Sequence, residues 1–254
     1  MRTLLLFCGY LLTFSSGHAQ AWRVFTDDIM VHRDGAASAI ISVHMVAGEL
    51  RITGNGKEVL EGEVRYSDPD WKPSLYSSVK NERIYVKLRM PRQGHELSMD
   101  DDDENKWTLA LNPDLPVDLI LNLGAGKADI DLAGLPLRSL NLRLGAGEFT
   151  IDLTNTSLPM LLMNAGVGQV SIRLGGEWKN GLKAKMNCGI GELTLYFPDD
   201  IPAFVRTSGI LGEVNRQGFK REGQNFILEP DGTKGPVLKV LINGGIGQVN
   251  LRTG

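Results

Sequence analysis

Cysteine is almost missing from this chain, with two among 254 residues. Cys8 sits in the first apolar run and Cys188 stands alone in the rest, so no disulfide framework can form within an exported product. Histidine is nearly as scarce. None follows His95, and His32, His44 and His95 lack the spacing of metal ligands. There is no basic excess, with 27 Lys and Arg against 30 Asp and Glu, which removes the electrostatic footprint of a nucleic-acid binder. Long apolar runs are missing too. Leu4 to Phe14 spans eleven residues, too few to cross a bilayer.

That run is framed instead as an export signal, with Arg2 before it and the small residues of Gly17-His18-Ala19 after it. Residues 1–19 are expected to be cleaved. The product then begins near Gln20 and reaches the periplasm, the cell envelope or the medium. Without Arg2 the balance is 26 basic to 30 acidic residues, a net −4.

Glycine is plentiful, at thirty residues, and its spacing is informative. "LNLGAGKADIDL" resembles a phosphate loop at first sight. Such a loop requires Gly-x4-Gly-Lys-Ser/Thr at the start of a helix, whereas Lys127 leads into an alternating strand pattern. The motif also returns. Gly124/Gly126, Gly145/Gly147, Gly166/Gly168, Gly189/Gly191 and Gly245/Gly247 form Gly-x-Gly pairs, and Gly212 and Gly48 occupy the second position of two less complete copies. From Gly126 the second glycines recur at intervals of 21, 21, 23, 21 and 35 residues. A period of this size marks a stacked-repeat architecture.

The columns around the glycines alternate with period two, the mark of a strand with one buried face. Before the corner the inward set is odd-numbered in the first full copy: Leu121, Leu123 and, on this pattern, Ala125. After Gly126 it is even: Ala128, Ile130, Leu132. A strand that keeps its apolar side inward across such a slip must bend there, and glycine suits the corner because it has no Cβ. Leu135-Pro136, Leu158-Pro159, Ile201-Pro202 and Asn180-Gly181 supply turns between copies. A 21-residue path of about 70 Å is long enough for one coil around a filled core.

The pattern therefore predicts an all-β fold, a single-stranded parallel β-helix (β-solenoid) of about 21-residue coils. Residues 20–110 are expected to form irregular coils and hairpins that cap its first end. Residues 111–254 are expected to form the regular repeats, with a hairpin excursion at 216–237, all within one continuous domain. The cap would protect strand edges at that end. The far end is expected to stay open unless the excursion or a second copy of the chain covers it. Two residues before the first-glycine position stand Asn122, Arg143, Asn164, Asn187, Ser208 and Asn243, a column suited to a hydrogen-bonded ladder.

The stretch "VAGELRITGNGKEVLEGEVRYSDPDWKPSLYSSVKNERIYVKL", followed by the Gly-Ala-Gly repeats, resembles the toast-rack domain proteins of bacteria. The C-terminal part of LiaF-like envelope-stress proteins and adhesin-like head domains are related to it. The resemblance implies a bacterial β-solenoid with no established activity and no catalytic residues to carry over.

Sites for chemistry are few. Asp129 and Asp131 would point outward from one strand about 7 Å apart, with Asp152 one coil above Asp131, a layout compatible with acid–base work on a sugar. Arg173 takes the next place in that column, which favours solvated charges. The acidic run Asp100 to Asn105 lacks the internal glycine of a calcium loop. Cys188 falls in an inward column with Leu123, Leu144 and Ala165. Tyr66, Trp71 and Tyr76 flank "SDPDWKPS" and could form either a binding patch or cap packing. The expectation is an exported non-enzymatic binding or scaffold protein of the envelope, docking a protein or glycan on its ladder faces. It needs no cofactor or metal, and a second copy could pair at its open end. An envelope-stress regulator is the alternative, and a polysaccharide-acting enzyme a more distant one.

Overall fold

The computed structural model describes residues 24–91, 103–230 and 235–254. The expected export signal at residues 1–19, Cys8, His95 and Asp100 to Asp102 lie outside the described residues. Among the described residues seventeen strands follow one another, with one short helical turn at Pro69–Trp71. The first six are β1 (Phe25–Val31), β2 (Ser38–Thr53), β3 (Leu60–Tyr66), β4 (Ser74–Lys80), β5 (Arg83–Arg89) and β6 (Asn105–Leu111). The repeats supply β7 (Val117–Asp131), β8 (Leu137–Asp152), β9 (Met160–Arg173), β10 (Leu182–Asn187), β11 (Ile190–Phe197), β12 (Ala203–Ser208) and β13 (Leu211–Arg216). A hairpin of β14 (Lys220–Glu222) and β15 (Asn225–Leu228) precedes β16 (Leu238–Asn243) and β17 (Ile246–Thr253).

All seventeen belong to one large, mostly parallel sheet with two arms that meet at the glycines. The long strands β2, β7, β8 and β9 run through both arms. Their register sets Gly48 against Gly126, Gly126 against Gly147 and Gly147 against Gly168. Leu119, Leu121 and Leu123 of one arm and Ala128, Ile130 and Leu132 of the other are all buried in a single hydrophobic cluster. Each fully buried leucine or isoleucine stabilises the fold by roughly 1.5–3 kcal/mol over its exposed state. Ala125 departs from the alternation. It is exposed, because the bend consumes two residues and turns the middle residue of Gly-x-Gly outward.

The glycine column has two physical causes. Gly126 and Gly147 have φ of +125° and +150°, a region that L side chains rarely occupy. A Cβ on Gly147 would also lie 1.8 Å from the Gly126 carbonyl oxygen. Gly145 lacks the positive φ, yet its Cβ would still meet the Gly124 oxygen at 2.0 Å.

The stacking order is not the chain order. β16 and β17 lie between β10/β11 on one side and β12/β13 on the other, all parallel. The corner column accordingly runs Gly48, Gly126, Gly147, Gly168, Gly191, Gly247, Gly212. The β16/β17 pair, which follows β12 and β13 in the chain, is therefore internal, and the outer end is built by β12 and β13. The hairpin excursion returns to this end. β15 pairs antiparallel with β12, and β14 with β15. β13 has a strand partner on one side only among the described residues. There Arg216 stands level with Leu251 in an otherwise apolar column, a charge that discourages further pairing.

At the other end β2 carries two extensions. β5 and then β4 continue the first arm, while β6, β3 and β1 continue the second. The β4–β5 hairpin turns on Asn81 and Glu82, both at positive φ, as a tight two-residue turn requires. Asn105 plugs the corner beneath Gly48. It is 2 % exposed, donates to the Ala47 carbonyl and accepts from Trp107 Nε1 at 2.8 Å.

Candidate functional site

The polar column before the corner forms a ladder on the outer side of the first arm. The Asn122 amide and His44 Nε2 meet at 2.7 Å, and Arg143 donates to Asn122 Oδ1 at 3.3 Å. Asn187 donates to Asn164 Oδ1 at 2.7 Å, and Asn243 donates to Asn187 Oδ1 at 3.1 Å. Parallel in-register strands bring these side chains together, since each repeats the same position one strand along the sheet. Between Arg143 and Asn164 the described residues show no ladder bond, so two runs meet there.

At that junction the surface is indented. A groove of about 810 Å³ is lined by His44, Arg89, Asn122, Arg143 and Asn164, with Met90, Leu123 and Leu144 below. Arg89 reaches it because β5 pairs with β2 and sets Arg89 level with His44. Among the described residues no carboxylate lines the groove. Two guanidiniums and two amides make it rich in donors, suited to carboxylate, phosphate or hydroxyl groups. The ladder column is legible from sequence. Arg89 was not anticipated, because only the pairing of β5 brings it alongside.

The other candidates are dispersed. Tyr66 is buried, stacks on Phe25 at 5.5 Å between ring centroids and donates to Asp27 Oδ2 at 2.8 Å. Its hydroxyl pKa is pushed up to about 12, first by burial and then by the hydrogen bond to Asp27 and that carboxylate's charge. Trp71 is buried on the helical turn. Tyr76 is 63 % exposed on β4, so the three aromatics do not share one surface. Asp131 and Asp152 each accept a hydrogen bond from the backbone two residues on, at Ala133 and Thr154, which places them in turns. Asp152 also lies 3.8 Å from Arg173 Nε. Asp129 is exposed.

His32 pairs with Glu58 at 3.1 Å. Cys188 packs partly buried against the core, and burial pushes its thiol up to about 11. No group of three or more His, Cys, Asp or Glu that could hold a metal occurs among the described residues. No helix among them is long and apolar enough to cross a membrane.

Comparison with known proteins agrees with this architecture. A Clostridium sporogenes protein whose name refers to cell adhesion is 26% identical with a TM-score of 0.70, covering 91% of this chain and 100% of its own. A Bacteroides fragilis structure named as an adhesin aligns over 90% of this chain and 97% of its own, at 10% identity and a TM-score of 0.31. Among curated proteins none matches the chain significantly. The family model described as the N-terminal domain of toast_rack, DUF2154, matches residues 21–159 and, overlapping them, 138–196. With the corner register and the matched span in agreement, the chain belongs to the toast-rack family.

Proposed function

We propose that this protein is an exported, non-enzymatic binding or scaffold module of the bacterial envelope. Its coils of about 21 residues form a β-solenoid, and its corner groove docks an envelope glycan or protein that carries acidic or hydroxyl groups. The donor-rich groove between the two ladder runs carries the reading. Arg89 and Arg143 offer charge with no carboxylate among the described lining residues, and the rigid stack fixes their spacing. The similarity to a C. sporogenes protein named for cell adhesion supports a binding role. A non-enzymatic role is supported by the use of Asp131 and Asp152 as turn acceptors.

The test is binding of the chain from Gln20 onward to immobilised envelope glycans and to envelope protein extracts, compared with Arg89→Glu/Arg143→Glu. The expected result is capture by the native chain and a loss of at least about tenfold in the double variant. Equal binding by both would remove the groove from the reading.

A further inference from the structure

The outer face of the first arm carries a second feature, which adjoins the groove at β9 and extends from there over β10, β16 and β12. On neighbouring strands β10, β16 and β12 it presents Lys183, Lys185, Lys239 and Arg206, all exposed. Lys183 is directly in register with Lys239, so like charges are neighbours across the ladder, an arrangement that costs stability. None of the four takes part in an ion pair among the described residues. The chain as a whole is acidic, so these cations are concentrated here rather than sampled from a basic surface. The outer side of the second arm carries both signs, with Asp129, Asp131, Glu148 and Glu213 exposed alongside Arg51, Lys106, Lys127 and Arg173.

Between the cations the surface is aliphatic. Met160 and Leu162 on β9 are 47 % and 38 % exposed and stand level with Lys183 and Lys185. Leu241 and Phe204 complete a shallow apolar depression of about 360 Å³. A solvated polar face does not need exposed methionine and leucine. A soluble anionic polymer would use the cations and leave these side chains in water. A bilayer of anionic lipid uses both, taking the ammonium groups at its phosphates and the aliphatic side chains at the acyl boundary.

We propose that this face docks on the surface of an anionic phospholipid bilayer, holding the second arm, where both signs are interleaved, away from it. Membrane docking does not depend on the groove's ligand. Lys183, Lys185 and Lys239 are exposed, so reversing them leaves the core intact.

The test is co-sedimentation of the chain from Gln20 onward with vesicles of phosphatidylglycerol and phosphatidylcholine, against phosphatidylcholine alone. All described strands and buried residues lie within this form. The expected result is binding to the anionic vesicles only, weakening as salt rises. Each lysine near such a surface strengthens binding about fivefold, so Lys183→Glu/Lys185→Glu/Lys239→Glu should lose on the order of 100-fold. Met160→Ser/Leu162→Ser should also bind vesicles less, with its circular dichroism unchanged. Absence of vesicle binding, equal binding to neutral vesicles, or undiminished binding by the triple variant would each overturn the proposal. Capture of soluble polyglycerol phosphate without capture of vesicles would overturn it in favour of a polymer. Arg89→Glu/Arg143→Glu, run in parallel, should keep most of its vesicle binding, which separates this face from the groove.

Discussion

Replacing Gly147 with alanine tests the corner directly. Two costs act together. The first is a φ of +150°, which an L residue tolerates at about 1–3 kcal/mol. The second is collision. The new Cβ would sit 1.8 Å from the Gly126 carbonyl oxygen, and reaching a 3.0 Å contact requires a retreat of about 1.2 Å, enough to break a ladder hydrogen bond. Opening one or two such bonds costs about 1 kcal/mol each. The expected loss is about 2–5 kcal/mol, a large share of the roughly 5–15 kcal/mol by which a folded domain is stable.

Two controls separate the terms. Gly145→Ala meets the Gly124 oxygen at 2.0 Å without the positive φ, so it should show the steric part alone. Gly134→Ala has φ of +72° and nothing within 4 Å, so it should cost only about 1–2 kcal/mol. Urea unfolding followed by circular dichroism gives all three values. If Gly147→Ala is no more destabilising than Gly134→Ala, the account of the corner is wrong.

Asn105→Leu should destabilise by about 2–4 kcal/mol, because the half-buried Ala47 carbonyl and the buried Trp107 Nε1 lose their partner together. The denaturant midpoint, read through tryptophan fluorescence, checks it. Tyr66 has a folded pKa of about 12, above its ordinary 10.0, so its contribution is complete below pH 10 and is lost as pH rises toward 12. Tyr66→Phe should therefore flatten that part of the alkaline fall in melting temperature, and an unchanged slope between pH 10 and pH 12 would refute it.

Much of the architecture was legible because the glycines and the change of phase reflect one constraint. Leu123 and Ala128 must both face inward across a bend, and only a slipped alternation allows it. Ala125 was misplaced because alternation counts residues and the bend consumes two. The stacking order was hidden for a different reason. "LKAKMN", "AFVRTS" and "LKVLIN" present almost the same inward residues, so burial alone does not rank their positions. The long interval before Gly247 gives the chain enough length to travel back, and β15 occupies the free edge of β12.

The site was partly visible. Asn122, Arg143 and Asn164 stand out as a column, while Arg89 belongs to a hairpin whose partner strand could not be assigned by periodicity. The lysines of β10 and β16 alternate plainly in sequence, but their adjacency depends on the swapped order. Tyr66 and Trp71 looked available because a turn-rich segment surrounds them, yet both pack inward at the first end.

The internal position of β16 and β17 has a consequence for how the molecule is made. These strands are made after both of the layers that flank them, and they bridge the wall's two halves. Until they arrive, the two flanking layers must wait about 9.6 Å apart, twice the usual strand spacing. Removing β16 and β17 would therefore not fray a tip but pull a plank from the middle, so the wall can close only after both have been made.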